Sequence, residues 1–218
     1  MHTVGRQSDS LDMYRQHLAF YIRKHGIARC IKIALNRLRT RMLGQWEWLY
    51  SIDLEDAEFH RQTDQEIELL PFQSQENIGA MILTKLCKHK SRRACSTFLA
   101  KWFSRGATLW LSKLGDEIIG LQWTLEGGID GFYSLPIYPR EVIIVSVEVF
   151  PPFRGMGFYP RMLVQLLAQL KQSGSRRAYL KVVTSNSSMQ RSIRKTPCER
   201  VCRVYTLKIL DRAITIWG

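Results

Sequence analysis

Apolar residues along the first forty-odd positions recur at helical spacing. Between Leu11 and Leu43 they fall at Leu18, Ile22, Ile27, Ile31, Leu35 and Leu38, with Arg23, Lys24, Arg29, Lys32, Arg37, Arg39 and Arg41 largely between them. This period predicts amphipathic helix, and Gly26 divides it into two. From Trp48 the pattern changes. Trp48–Leu54 and Glu66–Phe72 read as strands, the second ended near Pro71. Gln75–His89 and Ser91–Ser104 read as helices joined near Lys90, the latter stopped by Gly106. Alternation returns in Thr108–Lys113 and Ile118–Leu125, with Gly115-Asp116 between them as a hairpin turn. Residues 127–140, rich in Gly, Pro and Tyr, form a loop. Val142–Phe150 is nearly unbroken Val and Ile with one charge, Glu148, the pattern of a central strand buried on both faces. Pro160–Gln172 is a strongly amphipathic helix, Arg177–Val183 a strand, Asn186–Lys195 a short helix and Val201–Leu210 a closing strand. The fold class is therefore α/β, a mixed sheet with helices on its faces. Residues 1–45 form a basic helical arm and 46–218 one domain, a division that 218 residues readily accommodate.

Charge sharpens this picture. Residues 1–45 carry nine Lys/Arg against two Asp/Glu, 46–75 one against eight, and 76–218 twenty-two against nine, within a net charge of +13. The surplus thus lies on the domain as well as the arm, and such a field attracts nucleic acid, anionic lipid, an acidic carrier protein or a phosphorylated cofactor. The arm has two readings: a peripheral membrane contact through residues 11–43, or an apolar face covering the domain or a second subunit of a homodimer. No apolar run is long enough to span a bilayer, and the start lacks the apolar centre of a secretory signal. A cytoplasmic protein, at most peripheral to the inner membrane face, is expected. The five cysteines, Cys30, Cys87, Cys95, Cys198 and Cys202, form no framework, and no His or Cys pair completes a zinc site around Cys198 and Cys202.

The most informative stretch is the buried strand running into Pro151-Pro152-Phe153-Arg154-Gly155-Met156-Gly157 and then a helix. Glycines between a strand and a helix start let the backbone approach a phosphate, which the helix N-terminus then binds. Arg154 adds a cation at the rim. The same residues also suit a tight turn with an exposed arginine. A P-loop is excluded because no Gly-Lys-Ser/Thr ending follows. A dinucleotide site is disfavoured because the next strand, Arg177–Val183, is basic and the glycines come late in the chain.

Val149-x-Pro151-x-Phe153-Arg154-Gly155-x-Gly157 resembles the acyl-CoA signature of the GNAT superfamily of N-acyltransferases, whose core motif is Arg/Gln-x-x-Gly-x-Gly/Ala. The element order from about residue 66 to 210 resembles that fold as well, as does Asn186 followed by a closing strand. The resemblance implies a splayed sheet of about six to seven strands flanked by helices. It implies an N-acetyltransferase moving an acetyl group from acetyl-CoA to a small-molecule amine acceptor, an amino sugar or envelope-saccharide precursor among the candidates. Main chain around Val147 and Val149 would hold the pantetheine arm, and the N–H groups of Gly155, Met156, Gly157, Phe158 and Tyr159 the pyrophosphate, with support from Arg154 and Asn186. No metal is implied.

Three positions depart from the family pattern. Tyr159 stands where Gly or Ala is usual, Ile193 where a general-acid tyrosine is common, and Pro197-Cys198 where Gly-Phe is usual. Tyr205, Ser192 or water remain as acids. Glu148, the one acid of the central strand, is the candidate base, with pairing to Arg154 or Lys181 as its competing role, and Glu141 is the reserve. Phe132, Tyr133 and Tyr138 form either an acceptor wall or padding for the sheet edge. Trp46 and Trp48 read as core or interface residues. Two alternatives to the acetyl-CoA enzyme stand: transfer from an acyl carrier protein, and an inactive basic binding module. Nucleic acid is the less expected partner, since no interleaved aromatic and basic stripe suited to single strands is apparent.

Overall fold

A computed structural model of the protein describes Ile27, Ile31 and Leu35 and residues 44–59, 67–87, 92–127, 137–209 and 212–217. The chain divides into two units, Met1–Gln45 with Leu207–Arg212, and Trp46–Thr206 with Ala213–Gly218. The second holds most of the sheet and all the candidate chemistry.

Among the described residues eight strands form one mixed sheet: β1 (Gln45–Asp53), β2 (Glu68–Phe72), β3 (Thr108–Leu114), β4 (Glu117–Glu126), β5 (Glu141–Val149), β6 (Arg177–Val183), β7 (Glu199–Ile209) and β8 (Arg212–Trp217), in the order β2-β3-β4-β5-β6-β1-β7-β8. The seven expected strands are all present, and β8 is added beyond them. Pro71 lies in β2, the edge strand, where a missing N–H costs no ladder bond. β2 to β5 form an antiparallel meander, and β5 pairs with β6 in parallel.

Among the elements described from β1 onward, four helices cover the two faces: α1 (Ala80–Cys87), α2 (Arg92–Phe103), α3 (Phe158–Gln172) and α4 (Ser187–Ile193). On one face Leu86, Leu99 and Trp102 pack with Leu109, Leu111, Trp123, Leu125 and Ile143. On the other, Leu163, Leu166, Leu167 and Leu170 of α3 and Ile193 of α4 pack with Tyr50, Ile52, Val142, Ile144, Ala178, Leu180 and Val182. Each of those leucines is at most 4% exposed, and burial of a side chain this size contributes about 1.5–3 kcal/mol. Two details seat α3. The Gln122 amide donates to the Met162 carbonyl at 3.1 Å, and Gly120 leaves room for Met162 directly above the sheet.

The predicted helix from Gln75 begins only at Ala80, because Ser74–Gly79 is taken up by turns. The central strand is buried on both faces only from Glu141 to Ile144, and from Val145 to Val149 it is half-buried. The helix break near Lys90, Phe132, Tyr133 and most of the arm lie outside the described residues.

Candidate functional site

The half-buried stretch of β5 marks a fork in the sheet. The β5–β6 ladder runs from Glu141↔Arg177 to Ile144↔Leu180 and ends there, while β5 continues to Val149 and β6 to Val183. On its other edge β5 stays paired to β4, with Trp123 opposite Ser146 and Thr124 opposite Ile144, so Val145 is an extra, bulged residue. Such a bulge bends its strand and adds twist. It also reverses the side-chain phase. Ile144 and Val147 both pack toward α3, so Glu148, opposite Leu121, faces the α1–α2 side.

At the open end of the fork the chain turns tightly. Pro151–Phe153 form a 3-10 turn closed by the Phe153 N–H donating to the Phe150 carbonyl at 2.9 Å. Gly155 and Gly157 then adopt φ of +80° and +76°, which residues with a Cβ rarely tolerate. Nothing lies within 4 Å of a Cβ built on either, so the backbone there is open on its outer side. Gly157 is the N-cap of α3 and no side chain caps it. Helix N-termini carry N–H groups without intrahelical partners and a partial positive charge, so this one can receive an anion. Phe158 anchors it from below, 5% exposed and edge-on to Phe153 at 6.1 Å. Met156 is 62% exposed. The Tyr159 side chain turns into the core beside Tyr50 and Cys198, where its hydroxyl is buried without a hydrogen-bond partner. Burial and those neighbours push its ionisation far up. Tyr159 thus offers the turn its main chain and not its phenol.

The second arm of the fork ends in the same way. β6 leads to Asn186, whose Oδ1 accepts the Met189 N–H at 3.2 Å and caps α4, while its Nδ2 donates to the Met189 sulfur at 3.7 Å. The carboxyl ends of two parallel strands, each followed by a helix N-terminus, therefore border the open end of the fork. In α/β sheets ligands bind at such places.

The acid–base candidates separate. Glu148 lies on the free arm of β5, and Arg154 stands over it: the guanidinium is 3.8 Å from the carboxylate and donates through Nε to the Val149 carbonyl at 2.8 Å. Glu141 occupies the opposite end of the strand, about 20 Å away at some 3.3 Å per residue. It is buried, accepting the Tyr138 N–H at 3.0 Å and the Tyr179 hydroxyl at 3.3 Å, and so fastens the incoming loop rather than meeting the turn. Burial raises the Tyr179 pKa, and the neighbouring Glu141 carboxylate adds to the shift. Tyr205 is on β7, separated from β5 by β6 and β1, and its ring meets Trp46 at 5.1 Å. Ser192 donates to the Ser188 carbonyl within α4 at 3.1 Å, and Ile193 is wholly buried.

Two features were missed in the sequence. Lys181, one residue beyond the last β5–β6 pair, lies 3.3 Å from the carboxylate of Glu47, which also accepts the Thr206 hydroxyl at 3.0 Å. Both charged side chains are almost buried, on the face that carries Glu148. The alternation in β6 assigned Lys181 a face, but the partner strand β1 is over a hundred residues away. On the opposite face Arg203 lies over the rings of Trp46 and Trp48 at 4.3 and 5.8 Å, and Arg200 over Trp48 at 4.3 Å. An aromatic and basic stripe therefore exists, assembled from two distant strands. Its ring faces are already occupied by its own arginines.

The fold is that of the GNAT N-acetyltransferases. A GCN5-related N-acetyltransferase from Sphaerobacter thermophilus is similar over 74% of this chain, at 15% identity and a TM-score of 0.50. A GCN5-related glucosamine N-acetyltransferase region of a fungal multi-domain GH3 β-N-acetylglucosaminidase is similar over 80%, at 14% identity and a TM-score of 0.52. The aligned part is 50% of the first protein and 22% of the second, so this chain spans half or less of their lengths. No protein-family model and no curated protein matches the sequence.

Proposed function

We propose that this protein is an N-acyltransferase that uses acetyl-CoA to acylate the primary amine of a small molecule. The observation that carries the reading is the coincidence of the fork between Val145–Val149 and β6 with the open glycine turn at its mouth. The backbone of β5 around Val147 and Val149, on the edge where the ladder with β6 has ended, would bind the pantetheine amides. The N–H groups from Gly155 to Tyr159 would bind the pyrophosphate, with α3 directing its positive end at it. Asn186 would border the site by holding α4 in place. The donor supplies an activated thioester carbonyl. This chain supplies orientation, donors for the developing oxyanion and a proton acceptor.

Glu148 is the base in this reading. It sits on the α1–α2 face of the open arm, where an acceptor amine can approach from the side opposite α3. Arg154 has two roles that exclude each other: holding Glu148 and the Val149 carbonyl, or supporting a phosphate. Bound donor would therefore draw Arg154 toward the turn and release both groups. Water is left to protonate the departing thiolate, since Ile193 cannot and Tyr205 stands two strands from β6.

Calorimetric titration with acetyl-CoA tests the proposal, with dephospho- and desulfo-CoA as controls. Micromolar binding that weakens without the 3′-phosphate supports it, and thiol release with a panel of amines, amino sugars first, then identifies the acceptor class. No binding at physiological salt would overturn it and make acyl carrier protein the next donor to test.

A further inference from the structure

The face of the sheet that carries Glu148 is apolar where β3, β4 and the paired part of β5 meet α1 and α2. Where the fork opens it turns polar. Ser146 lies opposite Trp123 and Glu148 opposite Leu121, and cross-strand partners share a face, so both side chains of the free arm of β5 stand on this side. On β6, Lys181 follows Leu180, the last residue paired with β5, and alternates with it. That sets Lys181 on the same face, beside the Val145 bulge. A hydroxyl, a carboxylate and an ammonium thus border the fork. Two or three residues of strand and one strand spacing separate the Cα atoms of Lys181 and Glu148, about 8–11 Å before the divergence is added. A small molecule with two polar groups a few ångströms apart fits between their side chains.

Lys181 is held from the other side. Glu47 and Thr206 come from β1 and β7, the strands beyond β6. The Glu47 Oε2 lies 3.3 Å from the ammonium and accepts the Thr206 hydroxyl at 3.0 Å. Ion pairs as buried as this one add little stability over apolar side chains of similar size. Packing alone therefore gives no reason for a lysine at this place. A fixed cation beside a base has a use in binding: it takes an anionic group of the acceptor while the carboxylate takes the amine. The excess of twenty-two Lys/Arg over nine Asp/Glu in residues 76–218 favours the approach of such an anion.

Resting on the acyltransferase reading, we propose that Lys181 selects acceptors that carry a carboxylate or phosphate near the amine, with Glu47 and Thr206 holding it in place. At saturating acetyl-CoA, the common α-amino acids are compared with the matching amino alcohols, and glucosamine 6-phosphate with glucosamine. The first series reads a carboxylate and the second a phosphate. The wild-type protein prefers the anionic member of at least one series by about 100-fold or more in kcat/KM. In Lys181→Met that preference falls by at least about tenfold, through KM for the anionic acceptor rather than kcat. Should Lys181→Met melt early because Glu47 is left unpaired, the double variant Lys181→Met/Glu47→Gln removes both charges and must show the same narrowing. No wild-type preference for an anionic member, turnover of neither anionic series, or an unchanged preference in the folded variant would each overturn the inference while donor binding stands. Absence of acetyl-CoA binding by the wild type, read by calorimetry, would instead overturn the acyltransferase reading beneath it.

Discussion

Ile144 and Leu180 are the last residues that β5 and β6 share. Beyond this pair the two strands diverge, and the Val145 bulge on the β4 side sets the direction of the divergence. The half-burial of the five residues that follow Ile144 is thus a consequence of topology, despite their apolar sequence. The same divergence exposes the main chain of β5 on one edge, while its other edge remains bonded to β4.

The glycine turn should be separable from the fold. With φ of +76° and no atom within 4 Å of a Cβ, Gly157→Val meets backbone strain without a clash. The expected loss of stability is about 1–2 kcal/mol. Acetyl-CoA affinity should fall by about tenfold or more, because the displaced N–H groups no longer converge. Thermal melting with calorimetry checks both, and Gly155→Val should behave alike. Unchanged affinity in both variants would remove the turn as the phosphate site.

Glu148→Gln separates chemistry from binding. The ion pair it breaks is long at 3.8 Å and more than half exposed on the Arg154 side, so stability should change by less than about 1 kcal/mol. Under the proposed mechanism the turnover rate falls by about 100-fold or more, while acetyl-CoA binding is kept or slightly strengthened as Arg154 is released. Steady-state kinetics beside calorimetry give the two numbers. An unaffected rate would assign Glu148 to the ion pair alone.

Strands, the α3 helix and the glycine turn were legible because each is written locally: alternation in Thr108–Leu114, a continuous apolar run in β5, Gly-x-Gly before an amphipathic helix. Register and strand order are not local. The pairing of β1 with β6 brings Glu47 to Lys181, and that of β1 with β7 brings Trp46 to Arg203, across more than 130 residues in each case. The role of Glu141 was hidden for the same reason, since its partner Tyr179 comes from the neighbouring strand. The half-buried end of β5 was hidden as well: apolar residues there signal a strand whether or not a neighbour pairs with it.

Gly120→Ala tests how α3 is seated. A methyl group there would come within 2.5 Å of the Glu148 carbonyl oxygen and 2.7 Å of the Met162 methyl. Met162 can move; the main chain of β5 cannot without breaking its ladder with β4. The substitution should cost about 2–4 kcal/mol in urea unfolding. Adding Met162→Ala should restore none of it, since the carbonyl clash persists and a cavity is created. Recovery in the double variant would locate the clash in the side chain alone.

Cys198 predicts an alkaline limb of instability. Burial is the main cause that raises its thiol pKa to about 11, partly offset by its hydrogen bond with Thr196. In the unfolded chain the same thiol ionises near 8.5. The folded state thus holds the proton where the unfolded state releases it. The contribution is complete below the unfolded value and disappears as pH rises through the folded one, in total on the order of 3 kcal/mol. Tyr159 and Tyr179, also raised mainly by burial, act in the same direction at higher pH. Chemical denaturation from pH 8 to 11 should therefore show wild-type stability falling with a steeper slope than Cys198→Ala, the two curves converging as pH rises. Parallel curves would mean that the thiolate is accommodated, and hence that water reaches the space between α4 and Tyr159.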